Sequence, residues 1–190
     1  MTLRSPTPSR SISPTRPTRR HLLCGCAALA AVSLVGCGRE DAGDDAVKPR
    51  EIAAQSSCSL DGMLLSDYPG PKGQVIYKGS SEVNWFCDSM ELLSTLLKPE
   101  QVRPLLAAHV QDMAKADWDK PVGHWVEARQ AVYVLGSKRH GSMGPTAASF
   151  ADEAGAKAFA QQWGGRVLRF AEITPEMADL SGGALHDSRM

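Results

Sequence analysis

Aromatic side chains are scarce in this 190-residue chain, with four Trp, three Tyr and four Phe. A core with so few rings leans on aliphatic packing, and Trp85, Trp118, Trp125 and Trp163 are expected to pack between layers. Basic residues are not in surplus either: Lys and Arg total 21, as do Asp and Glu. Five of the arginines fall within the first 36 residues, so the remainder carries 16 basic against 21 acidic groups, 16 − 21 = −5. Without a basic face there is no footing for nucleic acid. The main apolar run, Leu22 to Val35, is shorter than the roughly 20 residues that span a bilayer. No Cys-x-x-Cys pair follows residue 37. That removes the dithiol couple on which disulfide oxidoreductases turn over, so an enzyme of thiol chemistry is not expected.

The N-terminus is what makes sense of these absences. Residues 1–36 combine arginines, no acid and a short apolar segment, the composition of a secretory leader. The leader ends in Leu34-Val35-Gly36-Cys37, a lipobox, so cleavage is expected before Cys37 with lipid attached to that cysteine. Thr18-Arg19-Arg20-His21-Leu22-Leu23 is similar to a twin-arginine signal, and the general and twin-arginine routes both stay open. The location that follows is the periplasmic face of a bacterial membrane, the outer membrane in preference to the inner. Residues 37–56 are acidic and poor in large apolar groups, which suits a flexible tether. Residues 177–190 read as a disordered tail. A monomer is expected.

Between tether and tail, one pattern occurs twice. Gln74 to Tyr77 and Val83 to Phe86 read as strands, and Asp88 with Glu91 forms a capping box for a helix from Ser89 to Leu97. Pro99 ends that helix, a short helical stretch is expected from about Glu100, and Ala108 to Gln111 closes as a strand. In the second half, Ala131 to Leu135 and Thr146 to Phe150 read as strands around a long connection from Gly136 to Gly144. Asp152 caps a helix from Glu153 to Trp163, Gly164-Gly165 stops it, and Arg166 to Phe170 follows as a strand. Trp85-Phe86-Cys87-Asp88 and Ser149-Phe150-Ala151-Asp152 hold the same place, 64 positions apart. The expected fold is α+β, with two related ββαβ lobes at 57–122 and 123–176.

The chemistry-bearing residues are few. Only Cys58 and Cys87 follow the lipobox cysteine. Outside the cytoplasm two cysteines default to a disulfide, which makes a structural docking lipoprotein one open reading. Their settings point another way. Cys87, at a strand end before a capped helix, suits burial as a small hydrophobe. Cys58 stands in Ser57-Cys58-Ser59-Leu60-Asp61-Gly62-Met63, where a thiol, a carboxylate and a thioether share one turn. Met143 sits in Gly141-Ser142-Met143-Gly144-Pro145, with no apolar periodicity to explain it. Met113 follows His109 by four residues at a strand end. Thiolates and thioethers select Cu(I).

Cys58 to Met63, Asp67-Tyr68-Pro69-Gly70-Pro71-Lys72-Gly73, Trp85-Phe86-Cys87, His109 to Met113 and Met143-Gly144-Pro145-Thr146 together resemble the NosL family from Cys58 to Thr174. The resemblance implies a lipoprotein accessory factor of nitrous-oxide reductase with a two-lobed fold. Its implied role is to carry Cu(I) for the copper–sulfide centre, with the reductase and a membrane transporter complex as partners. It implies Cys58 or the Asp61-Gly62-Met63 corner as one arm of a copper site and Met143 as the other. Many relatives have a second cysteine where this chain has Asp61, which leaves Cys58, Met63 and Met143 as a site of one thiolate and two thioethers. Asp61, with His109 or Asp112, offers a harder second divalent ion a place.

Overall fold

The β-branched run at Val75-Ile76 becomes strand β1 (Gly73–Tyr77) in a computed structural model that describes residues 45–98 and 102–180. A turn at Gly79, where φ is +77°, reverses the chain into β2 (Val83–Phe86), paired antiparallel with Gly73 opposite Phe86. Asp88 then starts helix α1 (Ser89–Leu97) through the expected capping box: its carboxylate accepts from Met90 N, and Glu91 reaches back to the Asp88 N–H. The helix stops at Lys98, held extended before Pro99. Strand β3 (Leu105–Gln111) returns along the free edge of β1, and β4 (Trp125–Glu127) adds outside it, giving the order β2-β1-β3-β4.

The second half repeats the plan. Strand β5 (Val132–Leu135) is central, β8 (Ala148–Phe150) and β9 (Arg166–Arg169) flank it antiparallel, and α2 (Glu153–Trp163) connects the two flanking strands. The order β8-β5-β9 matches β2-β1-β3 strand for strand. Asp152 accepts from Gly155 N, and Gly164 (φ +75°) ends the helix. Between β5 and β8 stands a separate small hairpin, β6 (His140–Gly141) and β7 (Gly144–Pro145), inside what the sequence presented as an unbroken connection.

One core serves both halves. Val75, Phe86, Leu92, Leu93 and Val110 from the first pack with Tyr133, Ala147 and Leu168 from the second. Burying a leucine such as Leu92 is worth about 2–3 kcal/mol. A second cluster under α2 gathers Trp118, Val134, Phe150 and Phe159. Helix α1 lies so close on β1 that a Cβ at Gly73 would come within 2.9 Å of Leu92.

Several boundaries differ from the sequence reading. Strand β4, from residues assigned to the second lobe, extends the first sheet. Of the helical stretch expected from Glu100, residues 99–101 lie outside the described residues, and 102–104 form a bend leading into β3. Pro175–Ala178 is a 3-10 turn whose Ala178 is fully buried and whose Met177 packs on the core, so the expected tail begins as packed structure. Residues 45–56, placed in the expected tether, are tied down in part: Arg50 N donates to Gln74 Oε1 at 2.8 Å, and Gln74 Nε2 donates to Arg50 O at 2.9 Å. The expected leader, the expected lipidation site Cys37 and the end of the expected tail lie outside the described residues. Among the described residues no helix is long and apolar enough to cross a membrane.

Candidate metal centre

Three pieces of chain meet at the end of β2. The first is the 58–63 turn. Its base is tied by Cys58 N donating to Met63 O (2.8 Å) and Gly62 N donating to Cys58 O (2.9 Å). Asp61 Oδ1 accepts from Met63 N at 2.9 Å, the local side-chain turn that aspartate favours. Ser59 N then donates to Trp85 O, which fastens the turn to the edge of β2. The second piece is the strand-to-helix junction Cys87-Asp88. The third is the β6–β7 hairpin, with Ser142 and Met143 at its tip.

The junction and the turn bring four ligand-bearing side chains together. Cys58, Asp61, Cys87 and Glu91 each offer one atom, and these atoms all lie within 4.8 Å of one another. Glu91 Oε2 is the hub: it accepts from Cys58 Sγ and from Cys87 Sγ, each at 3.3 Å, and from Asp88 N at 3.3 Å. Cys87 Sγ is also 3.8 Å from Asp61 Oδ2. Cys58 is 3% exposed and Cys87 fully buried, whereas Asp61 faces solvent. A closed dithiol floor with one open carboxylate wall suits an ion that must enter and leave.

The electrostatics follow from crowding acids in a dry site. Burial, reinforced by charge repulsion from Cys58, pushes the Glu91 carboxyl up to about 7. The hydrogen bond from Cys87 lowers the Cys58 thiol to about 6, and that same bond, with burial, holds Cys87 well above the thiol range. The protons are thus shared among three groups. Lys72 is the compensating cation. It is fully buried, and Nζ donates to Cys87 O and Pro69 O, both at 2.9 Å. Burial lowers its pKa, while the charges of Asp88, Cys87, Glu91 and Cys58 oppose that shift.

The hairpin is docked on the same junction. Ser142 Oγ donates to Cys87 O at 2.7 Å, and Thr146 Oγ1 donates to Asp88 Oδ1 at 2.6 Å. Ser89 Oγ donates to Ala147 O. Trp118 Nε1 donates to His140 O at 3.1 Å. The approach is tight enough that a Cβ at Gly141 would overlap Asp88 Oδ2, and one at Gly70 would overlap Gly141 Cα. Fully buried Asp88, its carboxyl raised by burial, is therefore both a helix cap and the clamp that holds the Met143 hairpin.

The residues singled out in the sequence separate into two sets. Cys58 and Asp61 are in the cluster, and half-buried Met63 packs against the Cys58–Leu65–Cys87 group. Met143, 48% exposed, caps the hairpin whose Ser142 binds Cys87. Met113 is elsewhere, a core residue among Trp118, Phe150 and Phe159. His109 is buried on β3 opposite Gln74 and Glu127, with Nδ1 unpartnered among the described residues and its pKa lowered by burial. Asp112 is a structural acid that accepts from Ala114 N and Ala151 N and pairs with Lys115 at 3.2 Å. The disulfide weighed for Cys58 and Cys87 is not formed: both are free thiols, each bonded to Glu91. Cys87 is buried as expected, but as a member of the cluster. Glu91 was read only as a cap. The signal was nonetheless present, because a capping box returns its fourth residue to the backbone next to Cys87.

Two thiols and two carboxylates, with Met63 packed beside the thiols, form a donor set that fits a soft ion better than Mg or Ca. Fold and pocket together define a two-lobed α+β protein with a dithiol–carboxylate candidate metal centre. The chain belongs to the NosL family, whose model matches residues 49–178. It is 40% identical over 166 residues to the copper-binding lipoprotein NosL of Stutzerimonas stutzeri, covering 85% of this chain and 86% of the relative. It is 37% identical over 152 residues to the protein of the same name from Achromobacter cycloclastes, covering 78% of each. Among solved structures, the copper chaperone NosL from Shewanella denitrificans superposes with a TM-score of 0.63 at 41% identity, covering 67% of this chain and 96% of that one.

Proposed function

We propose that this protein is a lipid-anchored Cu(I) carrier, not an enzyme, working on the periplasmic face of the membrane. Cys58 and Cys87 hold the ion, and Met63 and Met143 close over it as thioether donors. Asp61 and Glu91 stand beside them as hard donors able to take a second divalent ion. Lipid at Cys37 is the anchor, and delivery is to the assembly of the copper–sulfide centre of nitrous-oxide reductase, alongside its membrane transporter complex. The observation that carries the reading is the pair of free thiols inside a 4.8 Å cluster that also contains Glu91 and Asp61. The names of the relatives, copper-binding lipoprotein and copper chaperone, support copper as the cargo and a lipoprotein as the setting. Tethering supports the purpose, since an anchored carrier meets membrane-bound partners at a raised effective concentration.

The test is anaerobic competition against a chromogenic Cu(I) chelator, followed by X-ray absorption of the loaded protein. One Cu(I) per chain with a sulfur-dominated shell is expected, and Met143→Leu should weaken binding about tenfold. A shell of nitrogen and oxygen neighbours, or full affinity retained in Cys58→Ser, overturns the assignment.

A further inference from the structure

Lys72 occupies a fully buried position, where lysine is rare unless its charge is paired. Its ammonium is fixed by two carbonyls at 2.9 Å, one of them belonging to Cys87, a member of the metal cluster. Burying an isolated ammonium is costly unless opposite charge stands close by. The opposite charges here are those of the centre and its neighbour: the Asp88 and Glu91 carboxylates and the Cys58 thiolate. The main chain pins the cation from both sides. Lys72 N donates to Gln111 Oε1 at 3.0 Å, and Gln111 N donates to Lys72 O at 3.3 Å. The Cys87 carbonyl that receives Nζ also receives Ser142 Oγ, so cation, thiol residue and Met143 hairpin share one acceptor.

We propose that Lys72 is the charge-selectivity residue of this centre, a fixed buried cation that makes the Cys58–Cys87 pair prefer a monovalent soft ion to a divalent one. The inference rests on the metal-centre reading above. The reasoning is a charge count. A monovalent ion that displaces two thiol protons leaves the site one unit more negative than before, and the neighbouring ammonium stabilises that change. A divalent ion displacing the same two protons leaves the charge unchanged and gains nothing from the ammonium. A monovalent and a divalent ion on the same ligands differ by one unit of repulsion from Nζ. In a partly buried site that unit is worth about tenfold in relative affinity. Lys72 is a positioning and selectivity group and need not touch the ion.

The experiment measures affinity for Cu(I) and for Cd(II) on the full folded chain, with Lys72→Met, Lys72→Gln and Lys72→Arg beside the parent and melting curves confirming that each is folded. Lys72→Met and Lys72→Gln are expected to lower the Cu(I):Cd(II) affinity ratio about tenfold, while Lys72→Arg, which keeps the charge, restores the ratio. A merely structural lysine weakens both ions together and leaves the ratio unmoved, and that result overturns the proposal. An unchanged ratio in a parent that binds Cu(I) through sulfur sinks the Lys72 assignment alone. A parent that binds neither ion sinks the metal-centre reading as well.

Discussion

The two ββα turns of this molecule share a plan and differ in fate. Phe86-Cys87-Asp88 and Phe150-Ala151-Asp152 occupy equivalent places, each with an aspartate capping the next helix. In the first, Asp88 is fully buried, Cys87 is fully buried and Glu91 is 3% exposed. In the second, Ala151 and Asp152 are exposed, and the position of Glu91 is taken by Gly155. The ββα junction is therefore a platform and not by itself a site. What converts one copy is its covering: the 58–63 turn on one side and the Met143 hairpin on the other, with Lys72 beneath. The second copy keeps a solvated cap, and its helix packs into the second cluster through Ala156, Phe159, Ala160 and Trp163.

The comparison can be broken most directly by making the first turn resemble the second. Cys87→Ala should lower Cu(I) affinity by more than about a hundredfold, beyond the 10–100-fold typical of losing an outer partner; chelator competition reads it, and a loss under threefold removes Cys87 from the centre. Asp88→Ala should destabilise the fold by about 3 kcal/mol, since it leaves Thr146 Oγ1 and Met90 N without their acceptor in a buried site. Asp152→Ala should cost only about 1 kcal/mol, the usual price of an exposed helix cap. Urea denaturation of the two variants measures the difference, and equal losses would show that the covering of Asp88 contributes nothing.

A smaller effect separates the buried acid from its absent counterpart through pH. Glu91 is raised from 4.5 to about 7. Its contribution to stability is thus fully present below pH 4.5 and lost as pH rises through about 7. Cys58 is lowered from 9.0 to about 6, so its contribution is present above pH 9 and lost as pH falls through about 6. The summed contribution of these two groups should accordingly be smallest near pH 6–7. Asp88, raised by burial, acts in the same direction as Glu91, so the informative comparison is parent against Glu91→Gln. The variant should show a shallower fall between pH 4.5 and 7, and identical pH profiles would show that Glu91 carries no such burden.

Much of this was legible from local rules. The helix from Ser89 to Leu97 follows from Asp88, Glu91 and Pro99, which act within a few residues of where they stand. The duplication is visible because hydrophobic alternation and capping recur in the same order. The candidate site was half legible. Cys58, Asp61 and Met63 lie on one turn, so their proximity is a matter of spacing. Glu91 and Cys87 looked complete as a cap and a packed hydrophobe, because their contacts with Cys58 span 33 and 29 positions of chain. Met113 misled for the complementary reason. Its place after His109 suggested a ligand pair, while Trp118, Phe150 and Phe159 close a hydrophobic pocket around it from far along the chain.

Read as a string of residues, the chain already decides its α+β pattern, its family and its supply of soft donors, since each is written in short-range composition or spacing. Which donors meet is decided only by the fold. Pairing of β2 with the Cys58 turn, and docking of the Met143 hairpin on Asp88, sum small contributions from residues 27 and 58 positions apart. No local rule specifies those meetings. They arise because one shared core leaves a single compact way to close both lobes.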